Sequence, residues 1–229
     1  QLRNMATIGG NIMQRTRCTY FRDEDDLPCN KRRPGSGCSA RYGINRNHAI
    51  FGWSDDCVAT HPSDLAVALA ALDANVLVRN PHGQRLIPFA EFYRLPGNTP
   101  EHDNVLERGD LIMAIEVPAR NEGGASHYLK LRDRQSYEFA LVSAAVAVAA
   151  DRRRISLARI GMGGVAHKPW RLTRSEAALR GVSLDDIGAL KLALAVSFAD
   201  ARPLTQNAFK IELAQRVALR ALETAGARI

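Results

Sequence analysis

Four cysteines, Cys18, Cys29, Cys38 and Cys57, fall in the first quarter of the chain, separated by ten, eight and eighteen residues. Thiolates at such density point to a closed site, and three chemistries compete for it. Structural zinc is the weaker metal reading, because its sites usually show paired CxxC knuckles and none occurs here. Two disulfides suit a small secreted scaffold, whereas this chain is long enough to build a real core. An iron–sulfur cluster needs four thiolates and tolerates irregular spacing when a loop is built around it. Around the cysteines lie Arg15, Arg17, Arg22, Lys31, Arg32, Arg33, Arg41 and Arg46, set against one acidic run at 23–26. Clustered cations would offset the negative charge of a thiolate-ligated cluster and raise its reduction potential. A solvated basic face is the bland alternative. On spacing alone a metal cofactor is favoured over disulfides.

A second constellation opens the chain: Ala6-Thr7-Ile8-Gly9-Gly10-Asn11-Ile12. Paired glycines let backbone N–H groups approach a pyrophosphate, with Thr and Asn adding hydrogen bonds. The stretch does not match GxGxxG, and no strand–turn–helix unit of the required length follows it. No Ser/His/Asp set, paired carboxylates or molybdenum-ligating signal is present. Substrate chemistry is therefore expected on another chain.

These residues need a scaffold. Residues 14–57 lack aliphatic periodicity and read as a long irregular loop, which in a compact domain usually has a functional reason. Thr60-His61-Pro62-Ser63-Asp64 then opens a helix, with Thr60 as cap, Pro62 in the first turn and Asp64 at the positive end; Leu65, Leu69 and Leu72 share one face. His61 at that helix start is read as bonding backbone rather than as a redox group. Asn75–Arg79 and Arg85–Phe89 form a hairpin about Asn80-Pro81-His82-Gly83. Residues 100–110 are polar and mark a boundary. Beyond it, 111–118, 127–132, 139–149 and 155–162 read as a meander of strands, the third apolar enough to be a central strand or a buried helix. Arg152-Arg153-Arg154 is read as a solvated hairpin tip. Helices at 173–179, 185–198 and 207–225 close the chain, the last burying Phe209, Leu213, Val217, Leu219 and Leu222. Strands followed by helices give an α+β fold.

Of 229 residues, 46% are hydrophobic and 24% charged, which excludes disorder. No apolar run approaches the ~20 residues of a membrane span. Lys and Arg exceed Asp and Glu by 31 to 24, a net +7 that admits an acidic partner or nucleic acid. The chain begins without Met and without a basic stretch leading into an apolar run, so a fragment with no leader of its own is expected.

In combination the motifs are specific. Leu2-Arg3-Asn4 running into Ala6–Asn11, then His61-Pro62-Ser63-Asp64-Leu65, resembles the second half of the FAD-binding domain of the xanthine dehydrogenase family. Gly109-Asp110-Leu111-Ile112, His127-Tyr128-Leu129-Lys130 through Arg134, and Gly163-Gly164-Val165-Ala166 before Pro169-Trp170-Arg171 extend the resemblance through its carboxy-terminal domain. The cysteine-bearing stretches Gln14–Cys18, Pro28–Arg32 and Pro34–Cys38 are similar to the FAD subunit of three-subunit, molybdenum-dependent aldehyde oxidoreductases of the periplasmic type. Those subunits hold an additional 4Fe–4S cluster beside the flavin.

The resemblance implies a partial FAD-binding domain over 1–106, carrying the cluster loop 14–58, and a CO dehydrogenase flavoprotein-like domain over 107–229, an antiparallel sheet with helices. It implies that Cys18, Cys29, Cys38 and Cys57 all ligate the 4Fe–4S cluster. Ala6, Thr7, Gly9, Gly10 and Asn11 would contact the FAD phosphates and ribityl chain, and Asp64 would accept from a FAD hydroxyl. Leu111 or Ile112 would line the isoalloxazine, Lys130 would sit near the ring, and Arg134 matches a further position. Tyr137 stands where some relatives carry an acidic residue. The family's first FAD motif, Ala-Gly-Gly-Thr, is absent from this sequence, which implies a weaker hold on FAD. The implied function is electron transfer in an aldehyde-oxidising molybdenum hydroxylase, with the molybdenum cofactor on a large partner and 2Fe–2S clusters on a small one, periplasmic by co-export or cytoplasmic. The alternative is a basic nucleic-acid-binding module with a structural four-cysteine metal site; only Tyr20, Tyr42 and Phe51 are available there for stacking.

Overall fold

The computed structural model describes residues 2–23, 27–119 and 124–229; residues 24–26 of the acidic run lie outside them. Short helices open the chain: α1 (Leu2–Met5), α2 (Ile8–Ile12), α3 (Thr19–Arg22) and α4 (Ser39–Tyr42). Then come α5 (Asp64–Ala71), β1 (Asn75–Asn80), β2 (Gly83–Pro88) and α6 (Phe89–Phe92). The remainder is β3 (Leu111–Glu116), β4 (Ala125–Leu131), β5 (Val142–Asp151), β6 (Arg154–Gly163), β7 (Trp170–Arg171), α7 (Thr173–Ala178), α8 (Ile187–Ala195), a 3-10 turn at Val196–Phe198 and α9 (Phe209–Gly226). The fold is α+β, as its order of strands and helices implies.

β5 is the central strand of a four-stranded antiparallel sheet, ordered β4-β5-β6-β7. Its apolar run is a strand because both faces are covered, which removes the usual polar alternation. Val142, Ala144, Val146 and Val148 face the core beneath α9, while Ala145 packs with Val67 and Ala71 of α5 on the other face. The α5 face is built from small residues. A Cβ at Gly161 would lie 2.7 Å from the Val67 carbonyl oxygen, and one at Gly163 would lie 2.6 Å from Val67 Cγ2. Helix and sheet are therefore in close backbone approach.

The second sheet is ordered β2-β1-β3. Here the expected meander needs correcting. β3 pairs with β1, with Asn75 opposite Glu116 and Arg79 opposite Leu111, and not with β4. Ile112 and Ile115 pack on the core of Val76, Val78, Ile87, Phe89 and Phe92, and this small core needs a third strand to cover it. The β2-β1-β3 sheet thus extends past residue 106, and the two sheets part between Glu116 and Ala125.

Three further expectations are corrected. Ser63, not Thr60, caps α5: its hydroxyl accepts from Ala66 N–H at 3.0 Å. On α9 Val217 and Leu222 are buried and Leu213 and Leu219 pack against the core as expected, but Phe209 is 41% exposed and Ala214, Ala218, Ala221 and Ala225 complete the buried face. Alanines turn inward because they let the helix sit close on β5, while the Phe209 ring lies under the Arg46 guanidinium, 5.2 Å away. Arg153, in the β5–β6 turn, pairs with Asp185 at 2.8 Å and donates to the Gly226 carbonyl, fastening the turn to the end of α9.

Candidate functional site

Segment 14–58 is irregular in backbone yet firmly attached. Phe51 stacks on Trp170 at 5.2 Å, both Ile50 and Phe51 donate N–H to the Val165 carbonyl, and Asn45 bonds Thr205 and Gln206. His48 and Ala49 carbonyls accept from Asn207, and Lys210, fully buried on α9, donates to His48 O and Gly164 O at 3.0 and 2.5 Å. His167 likewise ties Nδ1 to the Ala59 carbonyl at 2.9 Å. The loop is thereby held against the C-terminal sheet.

All four cysteines line one small cavity, and none is in a disulfide. Cys29 and Cys38 pair as an antiparallel bridge across a turn that Gly35 and Gly37 close with positive φ, +81° and +101°. Cys57 lies in a turn bridged to Ser54, and Cys18 precedes α3. Burial first, then repulsion from Cys38 and Cys29, pushes the Cys18 thiol up to about 11. Burial, opposed in part by Lys31, pushes Cys57 up to about 12. Lys31 is itself buried, donating to the Pro100 carbonyl and to Asp103, each at 2.5 Å.

The void among the sulfurs is about 10 Å³, room for roughly one unbonded water. Metal atoms bonded to thiolate sit at about 2.3 Å, closer than any water. Among the described residues no group of three or more His, Cys, Asp or Glu side chains is arranged to hold a metal ion. The four cysteines thus bring soft sulfur donors to one small space.

A larger cavity of about 280 Å³ lies alongside, with Cys18, His48, Ser63, Asp64, Phe139 and Ser143 in its wall. Thr16 and Cys18 border both cavities. Arg17 Nε, His48 Nδ1 and Ser143 Oγ are buried there without a well-formed hydrogen bond. Such groups leave polar valence for a ligand or water in the cleft.

Of the residues expected around a flavin, several come together. Asp64 accepts from Tyr128 Oη and Lys130 Nζ, each at 2.7 Å, and Asn11 Oδ1 accepts from Ser63 Oγ at 2.6 Å. A carboxylate offers about four lone-pair positions, so Asp64 keeps capacity for a ligand hydroxyl. Thr7 Oγ1 accepts from Gly10 N–H at 2.9 Å, capping α2. Ala6 and Thr7 are exposed, and a Cβ at Gly9 would meet nothing within 4 Å, so the backbone here is open to a ligand. Exposed glycine backbone, a carboxylate and an adjacent ammonium fit a dinucleotide's pyrophosphate and hydroxyls.

Other expected residues stand apart. Leu111 is 62% exposed and Ile112 packs into the small core, so the two point to opposite faces of β3. Arg134 bonds inside its own loop, to the Tyr137 carbonyl and through its N–H to Glu138.

Sequence reading missed His48, Tyr128 and Lys210. His48 Nε2 lies 3.2 Å from Cys18 Sγ. It follows an aperiodic stretch, so no spacing marks it. Burial, then the Lys210 charge, pushes its pKa down to about 4. Several loop cations pair within the chain: Arg15 and Lys31 with Asp103, Arg41 with Asp55, Arg46 with Asp133.

Comparison with known proteins agrees with this arrangement. The family profile described as FAD binding domain in molybdopterin dehydrogenase matches residues 1–120, and that of the CO dehydrogenase flavoprotein C-terminal domain matches 127–225. Aldehyde oxidoreductase FAD-binding subunit PaoB of Escherichia coli K12 is 47% identical over the whole chain, which spans 68% of that relative. The glyceraldehyde dehydrogenase medium chain of Sulfolobus acidocaldarius is 31% identical over 124 residues, 54% of this chain and 42% of that protein. Among solved structures, reconstituted CO dehydrogenase from Oligotropha carboxidovorans superposes with a TM-score of 0.65 at 26% identity, covering 73% of this chain and 58% of that one. Profiles that match residues 1–120 and 127–225, with 47% identity to a FAD-binding subunit over the whole chain, make this chain a member of the FAD-binding subunits of molybdopterin-dependent oxidoreductases.

Proposed function

We propose that this chain is the electron-transfer flavoprotein of a molybdenum hydroxylase that oxidises aldehydes to carboxylic acids, carrying electrons from a partner's 2Fe–2S clusters by way of FAD to an acceptor. We assign it an additional 4Fe–4S cluster on Cys18, Cys29, Cys38 and Cys57. The observation that carries the reading is the convergence of four free, buried or half-buried thiols on one cavity that shares the wall residues Thr16 and Cys18 with the cleft beside Asp64. Identity of 47% to an aldehyde oxidoreductase subunit supports the substrate class.

Bound FAD supplies one- and two-electron chemistry, and a thiolate-ligated cluster supplies one-electron transfer. The chain's own residues bind and orient. Ala6, Thr7, Gly9, Gly10 and Asn11 offer backbone and side-chain donors to the phosphates. Asp64 accepts from a hydroxyl, and Lys130, only 19% exposed at its side chain, supplies a positive charge that favours an anionic reduced ring. Leu111, Ile112 and Arg134 are assigned to the ring's surroundings by position. Lys31 is the cation closest in effect to the cysteines, acting on Cys57.

A large molybdenum subunit and a small 2Fe–2S subunit are the proposed partners. A nucleic-acid role finds less support, because Arg15, Lys31, Arg41 and Arg46 already face carboxylates of the same chain. The test is metal content of anaerobically purified protein. About four iron and four sulfide per chain are expected; one zinc without iron overturns the cluster. Co-expression with the candidate partners should give a stable complex, and a flavin-loaded chain that never co-purifies with either removes them.

A further inference from the structure

We infer that His48 is a positioning residue of the cysteine site, donating a hydrogen bond from Nε2 to Cys18 Sγ and thereby raising the reduction potential of whatever iron–sulfur cluster Cys18 ligates. The inference rests on the cluster reading above and goes beyond it by naming what tunes the site.

The geometry comes first. His48 Nε2 is 3.2 Å from Cys18 Sγ, within hydrogen-bond range for sulfur. A metal-bound thiolate carries no proton and is an acceptor only. The nitrogen facing it must therefore be the one bearing hydrogen, which fixes the tautomer with Nδ1 bare. Nδ1 is buried without a well-formed hydrogen bond, and the Asn45 backbone that draws on the ring is a weaker acceptor than a thiolate.

The ring is also held. His48 is 6% exposed, and its carbonyl accepts from Lys210 Nζ at 3.0 Å and Asn207 Nδ2 at 3.1 Å. Both donors come from the start of α9 or the turn before it, so the backbone that carries the imidazole is anchored to that helix and not to the loop alone. Position matters as well: Cys18 is the ligand that borders both the small cavity and the cleft beside Asp64. A donor on this sulfur acts on the side of the cluster that faces the cleft.

The physical effect has a definite sign. Adding one electron to a cluster increases negative charge on its sulfurs, and no proton moves with it. A fixed N–H dipole aimed at a ligand sulfur stabilises the more negative state, so the potential rises. Removing it should lower the potential, with about a tenfold drop in the ratio of reduced to oxidised cluster at fixed poise, equivalent to about 59 mV for a one-electron couple.

The experiment uses the full-length flavoprotein, purified anaerobically, with EPR-monitored redox titration of wild type, His48→Gln and His48→Leu. Iron content should match in all three. His48→Leu should titrate at lower potential, and His48→Gln, which keeps an N–H, should fall between. An iron-loaded His48→Leu at the wild-type potential overturns the inference and leaves the cluster standing. Iron absent from wild type overturns the cluster itself, and this inference with it. Should His48→Leu fail to fold or load, reduced wild type grown on nitrogen-isotope-labelled histidine decides: a histidine nitrogen coupled to the cluster spin supports the assignment, and no such coupling removes it.

Discussion

Lys130 Nζ donates to Asp64 Oδ2 at 2.7 Å, joining the end of β4 to the first turn of α5. Tyr128, two residues earlier on the same strand, takes the other oxygen, so one carboxylate is gripped from a single edge strand. Replacing Lys130 with Met should weaken FAD about tenfold, a loss near 1.4 kcal/mol, typical of a partly buried charge. Fluorescence titration of deflavinated protein with FAD measures it. Unchanged affinity and an unchanged flavin potential would remove Lys130 from the site.

Each of Cys18→Ser, Cys29→Ser, Cys38→Ser and Cys57→Ser should lose most cluster iron, because hydroxyl oxygen is a poor, harder ligand for this metal. FAD content should fall far less. Iron retained in full by any one variant would show that its cysteine is not a ligand.

Close approach of α5 to the sheet makes two glycines unequal. A Cβ at Gly161 would meet the Val67 carbonyl at 2.7 Å, whereas one at Gly9 would meet nothing within 4 Å. Gly161→Ala should destabilise by about 1–3 kcal/mol and Gly9→Ala by much less. Urea midpoints compare them. At Gly10 a Cβ would sit 3.0 Å from Thr7 Oγ1, so Gly10→Val should disturb the α2 cap and reduce FAD content.

Asp103 neutralises buried Lys31 and half-exposed Arg15 together. Asp103→Asn strands the Lys31 ammonium, and the expected cost is about 3 kcal/mol. Chemical denaturation of the variant tests it; a change within experimental scatter would mean that Lys31 finds another acceptor.

Buried imidazoles give a pH dependence of defined sign. Burial pushes His61 down to about 4 and His167 down to about 3. Above the ordinary histidine value of about 6.5 both states are neutral and nothing changes. As pH falls from about 6.5 toward 4, the unfolded chain takes up protons that the folded chain refuses, so stability is lost at about 1.4 kcal/mol per pH unit for each histidine. His167→Gln should flatten the decline between pH 6.5 and 5, and a decline equal to wild type would contradict the assignment.

Much of the local organisation was legible in the sequence. The hairpin at 75–88, the positions of β4 and β6 and the three closing helices follow from period-2 and period-3.6 patterns, whereas β5, apolar throughout, left strand and buried helix both open. The proximity of Asp64 to Lys130 came only through resemblance, since they are sixty-six residues apart with no local signal. Pairing of β3 with β1 was hidden because alternating Leu111-Ile112-Met113-Ala114-Ile115 suits any sheet with a vacant edge. His48 and Lys210 were hidden for another reason. Lone polar side chains are recruited into a core by tertiary contacts, and no periodicity records that.

α5 touches both cores, with Ala66, Leu69 and Ala70 against the smaller one and Val67 and Ala71 against the four-stranded sheet. Eight residues thus serve two interiors and couple them. Heat should therefore melt this chain in one calorimetric transition, not two. A piece cut at the junction of the two matched profiles should not fold by itself, because the helix it keeps would expose Val67 and Ala71 to water and the cysteine loop would lose the sheet it leans on.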